Sequence, residues 1–122
     1  MYFTDCVSKA ALLGGANKLN PEAFLLIYSV AVGQEYKLTE PKVFEKPPMP
    51  YHSIKGVGKF APPNLNSLND TLYYSGTPID NTDELSEIDQ GSSSLNYNEY
   101  VVFDNDQVKV EYLVRVGVKY LH

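Results

Sequence analysis

The sequence is poor in the residues that build crosslinked or metal-bound folds. It contains one cysteine, Cys6, and two histidines, His52 and His122, among 122 residues. A single cysteine cannot form an internal disulfide, and these three side chains are too few for a zinc site. We therefore expect no bound metal and a reducing, intracellular compartment.

Long apolar runs and an excess of positive charge are also missing. The longest apolar run, Ala23 to Val32, is interrupted by Tyr28 and Ser29 and is too short to span a bilayer. The first residues lack the basic segment that opens a secretory signal. The formal net charge of −5 opposes binding to a phosphate backbone. We expect no membrane insertion and no direct nucleic-acid binding by this segment.

What the sequence does contain is enough apolar material for a core and several strand patterns. Hydrophobic residues make up 43% and aromatic residues 12% of the chain. The run Ala23 to Val32 predicts a central strand buried on both faces. Apolar residues alternate with charged ones from Val108 to Val118, after turn residues at Asn105-Asp106. This pattern predicts a hairpin in which Val101 to Asp104 pairs with the arm that begins at Val108.

One helix and two connections complete the expected fold. Thr4 or Asp5 is predicted to cap a short helix that runs through Leu12, ends at Gly14-Gly15 and packs on the sheet. Four prolines between Thr39 and Pro50 predict an ordered surface connection. The polar stretch from Ala61 to Ser94 predicts a long loop that acts as a functional cover or a mobile segment. No repeat or linker divides residues 1–122, and the expected fold class is α+β, rich in antiparallel strands.

Glu99 is the most informative side chain because it interrupts a strand pattern. In an extended chain it shares a face with Tyr97, Val101 and Phe103. A carboxylate beside such neighbours loses solvation unless a partner compensates, so one interpretation is a cleft with a polar ligand. The other is an edge strand on which Glu99 points to water.

The segment from Tyr51 to Lys59 carries two glycines, Gly56 and Gly58, flanked by lysines. The glycines fit either a tight structural turn or a close backbone approach to an anionic group. His52 fits a structural histidine or a base, and Lys55 and Lys59 are expected to be solvated.

Three ordered motifs together resemble the C-terminal half of the poly(ADP-ribose) polymerase (PARP) catalytic domain. They are Tyr2-Phe3-x-Asp5-x-Val7-Ser8-Lys9, His52-Ser53-Ile54-Lys55-Gly56-Val57-Gly58-Lys59 and Tyr97-Asn98-Glu99-Tyr100-Val101-Val102. The Lys-Gly-x-Gly-Lys segment is similar to the DNA-dependent, nuclear branch of that family. The resemblance implies that residues 1–122 are the C-terminal portion of a nuclear enzyme's catalytic domain, with a partial ADP-ribosyltransferase fold.

The resemblance also implies a reaction and three site residues. Enzymes of the family transfer ADP-ribose from NAD+ to acceptor proteins, which include the enzyme itself, or to a growing ADP-ribose chain. Nicotinamide is the leaving group. Tyr2 matches the tyrosine that stacks on nicotinamide, Lys9 a lysine near the substrate, and Glu99 the catalytic glutamate. Breaking the bond at the anomeric carbon develops oxocarbenium character, which a fixed carboxylate stabilises, as in glycosidases.

Two positions depart from the family pattern. Ala10 replaces a serine that hydrogen-bonds the nicotinamide amide, and Leu13 replaces a second stacking tyrosine. Losing both contacts weakens binding by about ten- to a hundredfold. The family histidine that holds the adenine-side ribose is expected upstream of Met1, and His52 belongs to a different motif. An alternative function is therefore a catalytically silent scaffold or interaction module, which an in-frame upstream sequence with a His-Gly motif would argue against.

Overall fold

The structure, a computed structural model, describes residues 1–62, 64–68, 71–75, 79–88 and 92–119. The chain forms two compact units. The first comprises Met1–Cys6 and Val32–Phe103, and the second comprises Val7–Ala31 and Asp104–His122. The elements in chain order are β1 (Tyr2–Phe3), α1 (Val7–Leu13), β2 (Glu22–Val30), β3 (Glu35–Leu38), β4 (Ser53–Gly56), β5 (Phe60–Ala61), β6 (Asn64–Leu68), β7 (Thr71–Ser75), β8 (Ile79–Asp80), α2 (Thr82–Ile88), β9 (Glu99–Val101), a 3-10 turn (Asn105–Gln107) and β10 (Val108–Gly117).

The first unit is built on a four-stranded sheet in the order β1-β9-β4-β3. Strand β9 is antiparallel to both β1 and β4, whereas β3 and β4 are parallel. The strand predicted around Glu99 is therefore present, with a neighbour on each side. Among the described residues, the largest fully buried side chains are those of Val57, Val102 and Ser53, which all belong to this unit. The mixture of strands and short helices in the described residues agrees with the predicted α+β class.

The predicted hairpin between Val101–Asp104 and the arm from Val108 is wrong. Strand β9 pairs with β1 and β4, and β10 pairs with β2. Asp104 ends the first segment because its side chain accepts a hydrogen bond from the Asp106 N–H at 2.9 Å and closes a capping box with Gln107. A capped turn starts a new chain direction instead of closing a two-residue hairpin.

The prediction that Ala23 to Val32 is a central strand buried on both faces is also wrong. Strand β2 forms a two-stranded sheet with β10, and Phe24 and Leu26 are 66% and 57% exposed. The register shifts between Val110 and Tyr112, so the apolar alternation of β10 does not stay on one buried face. Apolar content alone predicted a strand here but not its neighbours.

Helix α1 packs on β2 within the second unit, as predicted. Ala11 and Ala23 are both buried, which lets the helix approach the strand closely. The helix ends at Gly14-Gly15, where Gly15 has a φ of 91°. Its start differs from the prediction, because α1 begins at Val7 and neither Thr4 nor Asp5 is adjacent to it.

The stretch from Ala61 to Ser94 is not one long loop. It contains the paired strands β6 and β7, strand β8 bound to β5, and helix α2. Leu85 anchors α2 because its side chain is buried. Asp89, one of the acidic residues of the stretch, lies outside the described residues. The connection from Thr39 to Pro50 contains no strand or helix, as its prolines predict.

Gly58 and His52 both have structural roles in the first unit. A Cβ on Gly58 would lie 2.3 Å from the carbonyl carbon of Tyr97 and 2.7 Å from the nitrogen of Asn98. The glycine therefore permits the chain to approach the segment that leads into β9. His52 Nδ1 accepts the Gln34 N–H at 2.9 Å, beside Gly33 with its φ of 58°. These contacts favour the structural interpretation of both residues.

We predict that Gly58→Ala destabilises the chain by about 1–3 kcal/mol or more, because the added methyl meets backbone atoms that cannot rotate away. Gly117→Ala is the matched control, since a Cβ there meets nothing within 4 Å. Chemical denaturation of both variants measures the difference. Equal stabilities would contradict the close approach at Gly58.

Candidate active site

The register of the four-stranded sheet brings Tyr2 and Glu99 to one face. Tyr2 pairs with Val101, and Val101 pairs with Ile54. Directly paired residues point their side chains to the same face, and Glu99 precedes Val101 by two positions on that strand. Residues separated by 97 positions in the sequence therefore share one surface of the sheet.

A cavity of about 270 Å³ lies over this face. Its polar side chains are Tyr2, Lys42 and Glu99, and most of the others are apolar. The lining residues are Tyr2, Leu38, Pro41, Lys42, Val43, Phe44, Ile54, Gly56, Leu95, Glu99, Val101 and Phe103. An apolar pocket with a few convergent polar groups is the usual form of a small-ligand site.

The proline-rich connection forms one side of the cavity. Tyr36 on β3 packs edge-on against Phe44, with ring centroids 5.8 Å apart, and against Tyr51 at 5.2 Å. These contacts attach the connection at Phe44, and the residue that follows it, Tyr51, to strand β3. The Lys42 ammonium lies 5.2 Å from the Phe44 ring centroid. The connection thus brings a cation to the cavity wall.

Gly56 leaves room beside Glu99 on the cavity floor. The two residues pair directly across β4 and β9. A Cβ on Gly56 would lie 3.6 Å from Glu99 Cβ and 2.6 Å from Leu95 Cδ1. The glycine is therefore part of the packing around the carboxylate, which is itself half-buried.

The third predicted site residue is in the other unit. Lys9 lies in α1 and is partly exposed, and Ala10 follows it on the same helix. Leu13 is 79% exposed at the end of that helix. The structure places Tyr2 and Glu99 at one cavity, whereas the role of Lys9 stays a prediction.

The reverse face of the sheet carries a polar network that sequence reasoning missed. Asp5 Oδ2 accepts hydrogen bonds from Asn98 Nδ2 at 3.0 Å and from the Tyr100 hydroxyl at 2.9 Å. Asn98 and Tyr100 flank Glu99 in the sequence and point away from the cavity. Their alternation with Glu99 was the available signal, but Asp5 looked like a helix cap.

A second missed feature is the ion-pair cluster that attaches α2 to the same reverse face. Glu84 accepts hydrogen bonds from Lys37 Nζ at 2.7 Å and from Lys55 Nζ at 2.9 Å. The prediction that Lys55 is solvated is wrong, because its side chain is 11% exposed. The Lys55 ammonium also lies 5.2 Å from the Tyr100 ring centroid. Helix α2 was not predicted, so its carboxylate had no assigned partner.

Two carboxyl groups in this cluster have shifted pKa values of opposite sign. Burial alone raises the pKa of Glu84, but the hydrogen bonds from Lys37 and Lys55 outweigh it and hold the pKa below its usual value of 4.5. Burial raises the pKa of Glu35 more than the nearby lysines lower it. Glu35 Oε2 is buried without a hydrogen-bond partner in the described structure. Glu84 is thus stabilised as an anion, whereas ionised Glu35 is destabilised.

We predict that Glu84→Gln lowers the free energy of unfolding at neutral pH by about 1–3 kcal/mol, because the hydrogen bonds from the ammonium groups of Lys37 and Lys55 lose their anionic acceptor. A depressed pKa gives stability above 4.5 that is lost as the pH falls through the folded-state pKa. The difference from the wild type should therefore shrink in acid. Denaturation curves at neutral pH and below 4.5 test this.

Glu87→Gln, on the exposed side of α2, is the control and should change little. Glu35→Gln should instead stabilise the chain at neutral pH, because its raised pKa gives stability that is lost as the pH rises through the folded-state value. Identical pH profiles for all three variants would contradict the assignment of these charges.

The described residues contain no group of three histidine, cysteine, aspartate or glutamate side chains arranged to hold a metal ion. In the same part of the chain, no helix has the length and apolar character needed to cross a membrane.

Tyr2 and the half-buried Glu99 therefore line one largely apolar cavity, the usual form of a small-ligand site. The chain matches the family model of the poly(ADP-ribose) polymerase catalytic domain over residues 1–118. It belongs to that family.

The alignments with individual relatives cover nearly the whole of this chain. Poly [ADP-ribose] polymerase 1 of Arabidopsis thaliana is 37% identical over 123 residues, which cover 98% of this chain and 12% of the plant protein. Poly [ADP-ribose] polymerase 2 of Homo sapiens is 36% identical over 123 residues, which cover 99% of this chain and 21% of the human protein. The chain therefore spans a minor part of the length of these relatives.

Proposed function

We propose that the chain is the C-terminal portion of an NAD+-dependent ADP-ribosyltransferase catalytic domain, in which Tyr2 stacks on nicotinamide and Glu99 acts on the adjacent ribose. The observation that supports this most is the cavity that Tyr2 and Glu99 share. Both residues fall in motifs that resemble the family's substrate-binding and catalytic segments. The same family membership supports two further parts of the proposal, transfer to acceptor proteins, this one included, and a nuclear location.

The chemistry assigned to Glu99 is electrostatic stabilisation at the anomeric carbon. The bond between that carbon and the nicotinamide nitrogen breaks, its electron pair leaves with nicotinamide, and the ribose gains positive charge. A carboxylate fixed on a paired strand stabilises this charge and accepts a hydrogen bond from a ribose hydroxyl. An acceptor nucleophile then forms the new bond to the anomeric carbon and loses its proton, for which Glu99 is the nearby base.

Tyr2 would bind the leaving group before and during bond cleavage. Tyr2 is 71% exposed and lines the cavity, so its ring is accessible for stacking. Lys9 is proposed to support substrate binding from α1. Tyr2 and Glu99 line the same cavity, which supports a pose in which the ring stacks on Tyr2 and the ribose lies towards Glu99.

A silent scaffold or interaction module is the competing function. Ala10 and Leu13 favour it, because neither can supply the amide hydrogen bond or the ring stack that the family pattern contains. Nicotinamide binding should therefore be weak even where the mechanism is intact.

We predict that the 122-residue chain alone shows no automodification with NAD+. Binding energy from the adenosine side of the substrate orients the scissile bond, and the residues proposed for that role do not lie in this sequence. A fusion to the preceding part of a relative's catalytic domain should restore transfer, measured as labelled ADP-ribose incorporated.

In the same fusion, Glu99→Gln should depress the transfer rate more than NAD+ binding, since the lost charge acts mainly on the transition state. Glu87→Gln, an exposed carboxylate on α2, should leave both unchanged. An unchanged rate for Glu99→Gln would reject the mechanism and favour the scaffold function.

A separate prediction concerns Ala10 and Leu13, the two residues that depart from the family pattern. Ala10→Ser with Leu13→Tyr should tighten the binding of a nicotinamide analogue by about 1–3 kcal/mol, because an amide hydrogen bond and an aromatic stack are gained. Calorimetric titration measures the change. Leu19→Tyr adds the same ring at a position that is 98% exposed and should have no effect. Equal affinities for the double variant and the wild type would exclude Ala10 and Leu13 from the nicotinamide site.

A further inference from the structure

One carboxylate oxygen links the two segments that carry the proposed site residues. Asp5 follows β1, the strand of Tyr2, and its Oδ2 accepts hydrogen bonds from Asn98 Nδ2 at 3.0 Å and the Tyr100 hydroxyl at 2.9 Å. Asn98 and Tyr100 are the immediate neighbours of Glu99. We call this group of three side chains, Asp5, Asn98 and Tyr100, the Asp5 clip.

The backbone around Asn98 is held from several directions. Asn98 is 3% exposed, and its Oδ1 accepts the Gly58 N–H at 2.9 Å. The Thr4 hydroxyl donates to the backbone carbonyl of Asn98 at 3.2 Å. With its side-chain amide bonded at both ends and its backbone carbonyl bonded as well, this buried residue has one available position. The residue before Glu99's strand is therefore fixed both to the segment after β1 and to the backbone of Gly58.

Tyr100 holds the other side of Glu99. Its backbone pairs with Phe3 of β1 and with Lys55 of β4, and its ring lies under the Lys55 ammonium. The hydroxyl then reaches Asp5. The side chains of Asn98 and Tyr100, the two residues next to Glu99, thus both donate hydrogen bonds to Asp5 Oδ2. A displacement of Asp5 would therefore move both residues.

The other oxygen of Asp5 argues against a purely stabilising role. Asp5 Oδ1 is buried and has no hydrogen-bond partner among the described residues. An unpaired buried carboxylate oxygen costs stability, and a neutral acceptor could hold the same two donors at lower cost. Asp5 is also not adjacent to the first residue of α1 and does not cap it. The hydrogen bonds that Asp5 accepts instead link the segment after β1 to Asn98 and Tyr100, the two neighbours of Glu99.

We propose that Asp5 is a positioning residue that sets the distance between Tyr2 and Glu99 across the cavity. This rests on the proposed function of Tyr2 and Glu99 as the residues that contact the ligand. The Asp5 clip acts from the reverse face, through Asn98 and Tyr100, and itself touches no ligand. A shift of about 1 Å in a catalytic group can cost a hundredfold in rate, so such a device matters for transfer.

The test measures benzamide binding to the 122-residue chain by NMR titration, with benzamide as a probe for the nicotinamide ring and amide. Asp5→Ala should weaken binding about tenfold or more, because both contacts are lost. Asp5→Asn should weaken it only about twofold, since its amide oxygen can accept both hydrogen bonds. Tyr100→Phe, which removes one hydrogen bond and keeps the ring, should fall between them.

Leu85→Val is the control for stability. It thins the core under α2 and leaves the Asp5 clip intact, so it should lower the unfolding midpoint without changing benzamide affinity. Titrations are compared at a temperature at which every variant is folded. Wild-type affinity in folded Asp5→Ala, or in folded Tyr100→Phe if the first variant does not fold, would overturn the proposal.

Amide hydrogen exchange separates this proposal from the function on which it rests. Protection of the β9 amides should fall in Asp5→Ala relative to the β3–β4 amides. If the wild type binds no benzamide, the proposed function of the cavity fails, and exchange alone judges the clip. Unchanged protection of β9 would then reject the clip, whereas a selective loss would support it.

Discussion

Strand β9 is the constraint on which the site depends. It contains three residues, Glu99–Val101, and hydrogen-bonds to β1 on one side and β4 on the other. The pairing of β9 with β1 brings Tyr2 to the face of Glu99. The pairing of β9 with β4 brings Ile54 and Gly56 beside it on the same face. Without β9 between them, neither the cavity floor nor the shared position of the two residues would exist.

The two faces of this sheet have different tasks. The cavity face is largely apolar around its few polar groups, whereas the reverse face contains the Asp5 clip and the cluster of Lys37, Lys55 and Glu84. Strand alternation makes the division, because residues on either side of Glu99 must point the other way. Polar contacts therefore hold the strand without entering the ligand site.

Much of the local structure could be predicted from the sequence, but the partners of the strands could not. The strand at Glu99, the helix that ends at Gly14-Gly15 and the irregular connection from Thr39 to Pro50 follow from propensity, capping and proline chemistry. Pairing is non-local. The apolar run at Ala23 indicated a strand but not its exposed two-stranded sheet, and Asp104 ended the expected hairpin by forming a capped turn.

The site shows the same division between local and non-local information. Motif resemblance predicted Tyr2 and Glu99, which line one cavity, whereas Asp5 looked like a helix cap and Glu84 like part of a loop. Their partners Asn98 and Lys55 are distant in the sequence, so only the fold reveals the contacts.

The central claim is that the cavity shared by Tyr2 and Glu99 receives the nicotinamide ring. Nuclear Overhauser effects between bound nicotinamide and the chain test it most directly, since they report protons that lie close together. We expect contacts from the nicotinamide ring to the Tyr2 side chain and the Gly56 α-protons. Contacts confined to other surfaces, with none to Tyr2, would contradict it.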